Sequence, residues 1–257
     1  MKIFIINLER SKDRKKFMEE QYKKFRIPYE FFKATDGKNI SDEWIENNLS
    51  KEFKKEYEKY KNRFIKKGAI GCADSHRRLW KYILNKYNED EIFLILEDDS
   101  YLIENEDFLN KCEKIFKSSP YDFMLMYYSS LKPLKLNKKN RIKINNNYYI
   151  YEHPGQPVSI SCAYMLTYNG AKKLLSSQEQ YITRMADAWD FDDVGIKASL
   201  IYPLPFVTNM FSSTIVSSNY KQNIKKILVY SFMKVPFFKS LIRNFLSKRV
   251  TNVKIEG

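Results

Sequence analysis

The sequence has few of the residues that mark several large protein classes. Its three cysteines, Cys72, Cys112 and Cys162, are far apart and form neither a zinc-binding pattern nor a disulfide framework, which is typical of a reducing compartment. Seven glycines and eight prolines argue against collagen-like, linker-rich or repeat architecture. No apolar run reaches the roughly 18 residues of a membrane-spanning helix, and no signal peptide precedes the first strand pattern. We therefore expect a cytoplasmic protein.

Acidic residues are also scarce relative to basic ones. The 257 residues include 45 Lys and Arg but only 31 Asp and Glu, so the formal net charge is +14. Nucleic acid and anionic membrane surfaces are the usual partners of such a charge. Much of the excess lies at the C-terminus, where nine basic residues after Tyr220 face one acid, Glu256. The 44% hydrophobic and 16% aromatic content predicts a globular protein with a substantial core.

The order of predicted elements is typical of an α/β fold. Strand patterns alternate with helix patterns up to about residue 130, and no linker interrupts the chain before residue 215. We therefore predict a catalytic domain over residues 1–215, with a mostly parallel central sheet, and a basic amphipathic helical tail over residues 216–257. The patterns predict strands at 2–7, 29–33, 92–97, 122–127, 159–167 and 199–202; helices at 11–25, 41–61, 72–87, 107–116 and 170–175; and an exposed loop or hairpin at 131–147.

The most informative feature is a buried strand pattern that ends in three adjacent acids, Glu97, Asp98 and Asp99. Ligands of open α/β sheets bind beyond the carboxyl ends of the strands. Carboxylates suit hard cations such as Mg²⁺ or Mn²⁺, which often share their oxygen ligands with substrate phosphates. The pattern therefore indicates a metal-assisted site for a phosphorylated donor. The alternative is a solvated acidic turn at the start of a helix.

Four segments together resemble bacterial members of glycosyltransferase family 25, the lipooligosaccharide or LPS galactosyltransferase type. The segments are Ile6 to Arg14 (INLERSKDR), Gly68 to His76 (GAIGCADSH) followed by Trp80, Ile95 to Asp99 (ILEDD), and Ala163 to Leu175 followed by Asp187. Each is weakly specific alone, but the four occur in order over residues 2 to 207. The acids at 97–99 depart from an Asp-x-Asp motif because they have no spacer.

The resemblance implies a GT-A-like nucleotide-sugar fold and an inverting transfer of a hexose, often galactose from a UDP-sugar, to a saccharide or glycolipid acceptor. It also implies that Mn²⁺ or Mg²⁺ binds at the acidic segment. We assign Asp99 as the first metal ligand and Glu97 as a second, with Glu97 and Asp98 also contacting the donor. Successive side chains of an extended segment alternate in direction, so Glu97 and Asp99 are expected to share a face that Asp98 does not.

The other expected donor contacts come from the first two segments. Asn7, Arg10 and Arg14 follow the first strand, where phosphate or ribose contacts are common, and arginine binds phosphate in a bidentate manner. The alternative is that Arg10 and Arg14 only form ion pairs with nearby acids. Three further candidates belong to the second segment: Gly71, Ser75 and His76.

An inverting transfer needs a base that removes the proton of the acceptor hydroxyl. We assign this role to Asp187, which aligns with a late aspartate of the family, and Asp190 is the second candidate. An acidic loop without a catalytic role remains the alternative. His153 lies in a predicted loop, and we do not expect it to bind metal or acceptor.

The tail and the overall charge leave two further questions. The tail from Tyr220 onward combines apolar residues at helical spacing with basic residues, which favours a peripheral anchor on an anionic membrane, here the inner face of a bacterial inner membrane. Packing of the same residues on the domain is the alternative.

A basic nucleic-acid-binding protein is a competing class, but the basic residues do not alternate with aromatics on a sheet, and we expect no nucleic-acid partner. A metal-dependent nucleotidyl or phosphotransferase is the other competing class, but the sequence lacks the glycine-rich phosphate-binding loop typical of such enzymes.

Overall fold

The computed structural model of the protein describes residues 1–61, 63, 65–189, 191–208 and 236–256. It contains an α/β fold whose elements follow one another in this order: β1 (Lys2–Asn7), α1 (Lys12–Tyr22), β2 (Tyr29–Lys33), a 3₁₀ turn (Gly37–Asn39), α2 (Asp42–Asn48), α3 (Lys51–Tyr60), α4 (Lys67–Lys86), β3 (Ile92–Glu97), β4 (Tyr101–Leu102), α5 (Glu106–Lys117), β5 (Phe123–Leu125), β6 (Leu134–Asn137), β7 (Ile142–Lys143), β8 (Tyr149–Glu152), β9 (Ala163–Thr167), α6 (Tyr168–Ser176), β10 (Ala198–Tyr202), β11 (Phe206–Val207), α7 (Pro236–Thr251) and β12 (Val253–Glu256).

The central sheet has eight strands in the order β2-β1-β3-β9-β5-β10-β8-β7. Strands β2, β1 and β3 are parallel, and β9 runs antiparallel to both of its neighbours, β3 and β5. β10 is parallel to β5, and a hairpin of β7 and β8 completes the far edge. The predicted sheet is therefore correct in being largely parallel in direction, but it is mixed, since β8 and β9 run against the other strands.

Two groups of apolar residues stabilise this arrangement. The larger one includes the fully buried strands β1 and β3 and the inner faces of α1, α4 and α5. The smaller one joins α2, α3 and the first half of α4 to the segment that contains Ile182 and Ala186. Because burial of each large apolar side chain contributes about 1.5 to 3 kcal/mol, this second group fixes the chain just before Asp187 against α4.

The first half of the chain differs from the predicted elements at two helices. The region 41–61 forms two helices, because Ser50 accepts the Phe53 N–H as an N-cap and starts α3. Helix α4 begins at Lys67, five residues before the predicted start, and so includes Gly68 and Gly71. A Cβ atom on Gly71 would lie 2.6 Å from the Thr35 carbonyl oxygen. The glycine is therefore needed for close packing of α4 against the loop after β2.

The second half differs mainly in the lengths of its strands. Strand β9 begins at Ala163, so residues 159–162 lead into it as irregular chain, and β5 spans only three residues. The stretch 131–147 contains β6 and β7, of which β7 pairs with β8. Asn169 and Gly170 belong to α6, whose N-cap is Thr167.

The described part of the C-terminal region contacts the rest of the fold. β12 pairs with β6 in parallel, and the Ser247 hydroxyl accepts a hydrogen bond from the Leu204 N–H at 2.8 Å. Arg243, Ser247 and Thr251 are buried, whereas Phe245 is 65% exposed. Residues 216–235 of the predicted helical tail lie outside the described residues. Within the part of the chain that the structure describes, no helix is both long and apolar enough to cross a membrane.

Candidate active site

A cavity of about 300 Å³ opens at the carboxyl ends of β1, β2 and β3, next to the first turn of α4. This is the edge at which ligands of open α/β sheets bind. The N-terminus of a helix also favours anions, because its N–H groups and dipole point toward them. Cationic residues at the cavity are Arg10, Arg14, Lys38, Lys66 and Lys67, and acidic ones are Asp36, Glu97 and Asp98.

Glu97, the last residue of β3, lies at the junction between the cavity and α4. Its Oε1 atom accepts a 2.6 Å hydrogen bond from Ser161 and is 3.5 Å from His76 Nε2. Burial raises the pKa of Glu97, but the adjacent His76 ring and the Ser161 hydroxyl bring it below its usual value. Glu97 is therefore an anion at neutral pH.

The Asp98 side chain lies between Asn7, the last residue of β1, and Arg14 of α1. Its two oxygens accept hydrogen bonds from Asn7 Nδ2 at 2.7 Å and from Arg14 Nη1 at 2.6 Å. Asn7, Arg14 and Asp98 are all buried. Burial raises the pKa of Asp98 even though Arg14 and Asn7 oppose that change. The cation of Arg14 is thus needed to hold a carboxylate at this depth.

Asp99 has a different environment from its neighbour. It accepts a 3.1 Å hydrogen bond from the Thr208 hydroxyl, and Arg14 approaches it only to 3.6 Å. Burial and the negative charge of Glu97 raise the pKa of Asp99 to about 6. Within the described residues, Glu97 and Asp99 thus lie together with Arg14 no nearer than 3.6 Å to Asp99, and a bound cation would relieve their repulsion.

Glu97 and Asp99 together form what we call the acidic corner. A potential metal-binding group adjoins it. The ligand atoms of Cys72, His76 and Glu97 are all within 4.8 Å of one another. Cys72 and His76 are one turn apart on α4, so both side chains point to the same side of the helix. Burial raises the pKa of the Cys72 thiol, and the charges of Glu97 and Asp187 raise it further.

The other predicted donor contacts have mixed surroundings. The Arg10 side chain pairs with Asp36 at 2.5 Å, at the cavity. Ser75 accepts the Thr35 N–H and donates to the Gly71 carbonyl, so it fixes the loop after β2. His76 is fully buried, and its Nδ1 atom is 2.8 Å from the Tyr164 hydroxyl.

The first candidate for the base, Asp187, lies in irregular chain and is half-buried. Its Oδ2 atom accepts a hydrogen bond from the Ile160 N–H at 3.3 Å, and the next residue, Ser161, contacts Glu97. Ile160 has a φ of 84°, which a β-branched residue rarely adopts and which occurs mostly at functional sites. The second candidate, Asp190, lies outside the described residues.

The structure adds residues that the sequence patterns did not single out. Cys72 lies within a quoted motif but had no assigned role. Ser161, Tyr164 and Thr208 contact Glu97, His76 and Asp99 from segments more than 60 residues away in the chain. No local pattern marks them, except that Ser161 and Tyr164 flank the start of β9.

Comparisons with known proteins agree with this geometry. The model of a family described as Glycosyltransferase family 25 (LPS biosynthesis protein) matches residues 1–189. A Glycosyltransferase 25 family member of Drosophila melanogaster is 29% identical over 187 residues, which are 69% of this chain and 28% of that protein. A putative glycosyltransferase of Haemophilus influenzae is 30% identical over 174 residues, which are 67% of this chain and 56% of that protein.

A shorter match extends the comparison to a named activity. Procollagen galactosyltransferase 2 of Homo sapiens is 35% identical over 98 residues, 38% of this chain and 15% of that protein. The chain thus matches about a quarter of the length of the insect relative and about half of the Haemophilus one. Since the family match covers nearly three quarters of its length, this chain belongs to glycosyltransferase family 25.

Proposed function

We propose that the protein transfers a hexose, most simply galactose, from a UDP-sugar to a saccharide acceptor, with inversion and with assistance from Mn²⁺ or Mg²⁺. The observation that carries the proposal is the pairing of a cationic cavity with an acidic corner at the carboxyl ends of β1, β2 and β3. The family match and the galactosyltransferase among the relatives support the sugar class.

The cavity suits the nucleoside diphosphate part of such a donor. Arg10, Lys38 and Lys66 bring positive charge to it, and the first turn of α4 adds backbone N–H groups. Arg10 is already oriented by Asp36, so its outer guanidinium atoms can bind phosphate without a large loss of side-chain freedom. Asn7 and Arg14 act indirectly, because they position Asp98 at the floor of the site.

The metal has suitable ligands at the acidic corner. Asp99 and Glu97 offer hard carboxylate oxygens close together. Burial and the charge of Glu97 raise the pKa of Asp99 to about 6, and a bound cation would oppose both effects. Asp98 is the least suitable ligand of the three, since Asn7 and Arg14 occupy its oxygens. A bound Mn²⁺ or Mg²⁺ would stabilise the negative charge that grows on the departing UDP.

Asp187 is the proposed base that takes the proton of the acceptor hydroxyl. It is half-buried, and its Ile160 contact places it one residue from the Ser161 that holds Glu97. An aspartate in this position can accept a proton while the new glycosidic bond forms opposite the leaving diphosphate, which gives inversion. Asp190 is kept as the second candidate for this role.

The acceptor and the location are proposed more broadly. The description of the matching family refers to LPS biosynthesis, so a lipooligosaccharide or another glycolipid is the proposed acceptor class. A peripheral position on an anionic membrane, through the basic tail, would bring the enzyme to such a lipid. The exposed Phe245 and the neighbouring Lys248 and Arg249 support this attachment.

A panel of nucleotide sugars tests the proposal directly. The protein is incubated with Mn²⁺, a saccharide acceptor and each of several UDP-, GDP- and CMP-sugars, and the free nucleotide is measured. We expect UDP release from one UDP-hexose, dependent on the metal. No binding and no turnover with any UDP-sugar would contradict the proposal. Release of UMP would indicate a sugar-phosphate transferase instead, and release of hexose 1-phosphate would indicate a nucleotidyltransferase.

A further inference from the structure

We propose that Cys72, His76 and Glu97 form a second cation site, one that selects a thiolate- and imidazole-binding ion such as Zn²⁺ and is separate from the Asp99 site. The juxtaposition of one sulfur, one nitrogen and one oxygen ligand at the inner end of the donor cavity carries the proposal. Mg²⁺ and Mn²⁺ prefer oxygen ligands, whereas Zn²⁺ accepts all three.

The two separations measured from Glu97 Oε1 are close to those between the ligands of a tetrahedral zinc site. Glu97 Oε1 is 3.8 Å from Cys72 Sγ and 3.5 Å from His76 Nε2. Ligand atoms at the Zn–S, Zn–N and Zn–O bond lengths, arranged tetrahedrally, lie about 3.3 to 3.6 Å apart. Side-chain shifts of a few tenths of an ångström would bring the two Glu97 separations to these values, and the Cys72 and His76 ligand atoms lie within 4.8 Å of each other.

A second observation points to a ligand at the same place. His76 is fully buried, and its Nε2 atom has no hydrogen-bond partner within the described part of the chain. A buried polar atom without a partner is costly, and coordination would satisfy it. The Nε2 atom faces Glu97, so the unsatisfied atom points into the proposed site.

The surrounding side chains resemble an outer shell that orients metal ligands. The Tyr164 hydroxyl lies 2.8 Å from His76 Nδ1 and leaves Nε2 as the coordinating atom. Ser161 donates to Glu97 Oε1 and holds that carboxylate beside α4. Partners of this kind fix the orientation of ligands and tune affinity about 10- to 100-fold.

The site also has access and charge. Cys72 and Glu97 line the donor cavity, so an ion can enter from it and take its fourth ligand there. Glu97, Asp99 and Asp187 all impose negative charge on Cys72, which favours cation binding. On binding, the Cys72 thiol would release its proton to solvent, and the ion would replace that proton on the sulfur.

The proposal has a consequence for catalysis, which rests on the proposed function. Glu97 is shared by the two sites, so an ion held by Cys72 and His76 withdraws it from the Asp99 corner. We therefore expect Zn²⁺ to inhibit the Mn²⁺-dependent transfer, and we expect Cys72→Ser to reduce that inhibition.

Direct ion binding to the full chain tests the site without any assay of transfer. The protein is titrated with Zn²⁺ against a chromophoric chelator, and with Co²⁺ while the thiolate-to-cobalt charge-transfer absorption is recorded. We expect one ion per chain, release of a proton and a charge-transfer band. Cys72→Ser should abolish the band and weaken Zn²⁺ binding by more than about 100-fold, while Tyr164→Phe should weaken it by about 10- to 100-fold.

Two control variants separate this site from its surroundings. Cys112→Ser removes a buried thiol of α5 that is not among the residues lining the cavity, and it should leave the band and Zn²⁺ affinity intact. Asp99→Asn removes the other site's main ligand and should also retain Zn²⁺ binding. Equal Zn²⁺ affinity of wild type and Cys72→Ser, or a Co²⁺ complex without the band, would overturn the proposal. Loss of UDP-sugar turnover in every condition, with the band present, would instead contradict only the proposed function.

Discussion

The two carboxylates that follow Glu97 are adjacent in sequence, yet their surroundings differ. Asp98 faces Asn7 and Arg14 at 2.7 and 2.6 Å, so the protein supplies its own counter-charge on that side. Asp99 faces the anion of Glu97, with a hydrogen bond from the Thr208 hydroxyl and with Arg14 at 3.6 Å, and its pKa is raised to about 6. The difference indicates that Asp98 organises the fold of the site, while Asp99 is available to an external cation.

The largest expected effect comes from the Asp99 side. Asp99→Asn removes one anionic metal ligand but keeps the shape of the side chain, so metal and diphosphate should bind poorly. Loss of a few kcal/mol of transition-state stabilisation corresponds to a fall in kcat/KM of about 10²- to 10³-fold. Metal-dependent UDP release from the UDP-sugar measures it. A variant with near-wild-type kcat/KM would show that the comparison assigns the wrong carboxylate.

The next effect concerns the base, which belongs to neither side of the corner. Asp187→Asn should lower kcat about 10²-fold or more, because proton removal from the acceptor is lost. UDP affinity should change little, in contrast to Asp99→Asn. Equal transfer by wild type and Asp187→Asn would remove Asp187 from the mechanism, and Asp190→Asn would then be the variant to measure.

A smaller effect, on stability, contrasts the two sides directly. Arg14→Met leaves Asp98 and Asp99 without their shared cation, and breaking a buried pair typically costs about 3 to 5 kcal/mol at neutral pH. Asp99→Asn, by contrast, removes a carboxylate that Glu97 repels, so its free energy of unfolding should equal or exceed that of wild type. Urea unfolding at pH 7 measures both. If Asp99→Asn were as destabilised as Arg14→Met, the two carboxylates would have the same role.

The smallest expected effect lies far from the corner and controls for acid sensitivity. Burial lowers the pKa of His153 to about 4, although Asp192 opposes this. The unfolded chain therefore binds a proton here below about pH 6.5, while the folded chain does so only near pH 4, and stability falls across that window as pH decreases. His153→Gln should remove about 1 to 3 kcal/mol of this fall. Unfolding curves at pH 7 and 4.5 that change in parallel for wild type and variant would contradict it.

The sequence predicts the elements around the candidate site well where one short segment supplies both the element and its charged residues. The apolar run of β3 and its acids mark a buried strand with a charged end, and β1 with Asn7 and Arg14 marks the adjacent loop. Both follow from hydrophobic pattern and charge alone. The sequence does not predict the early start of α4, because Gly68 and Gly71 usually weaken a helix. The close contact with Thr35 explains Gly71.

The contacts that complete the site are tertiary and leave no local pattern. Ser161 contacts Glu97 because β9 lies antiparallel to β3. Thr208, the residue after β11, contacts Asp99, and β11 itself pairs with β4. Periodicity cannot indicate which distant hydroxyl will meet a given carboxylate. The grouping of Cys72 with His76 was visible as an i, i+4 pair, but its link to Glu97 depends on how α4 packs beside β3.

If the proposed mechanism is correct, Asp99 binds a cation that in turn holds the donor diphosphate. Calorimetric titration of UDP into the protein, with Mn²⁺ and then with excess chelator, tests it most directly. We expect Mn²⁺ to strengthen UDP binding to wild type by at least about tenfold, which corresponds to about 1.4 kcal/mol, and we expect Asp99→Asn to lose this gain. UDP affinity that is the same with and without Mn²⁺ in wild type would contradict the claim.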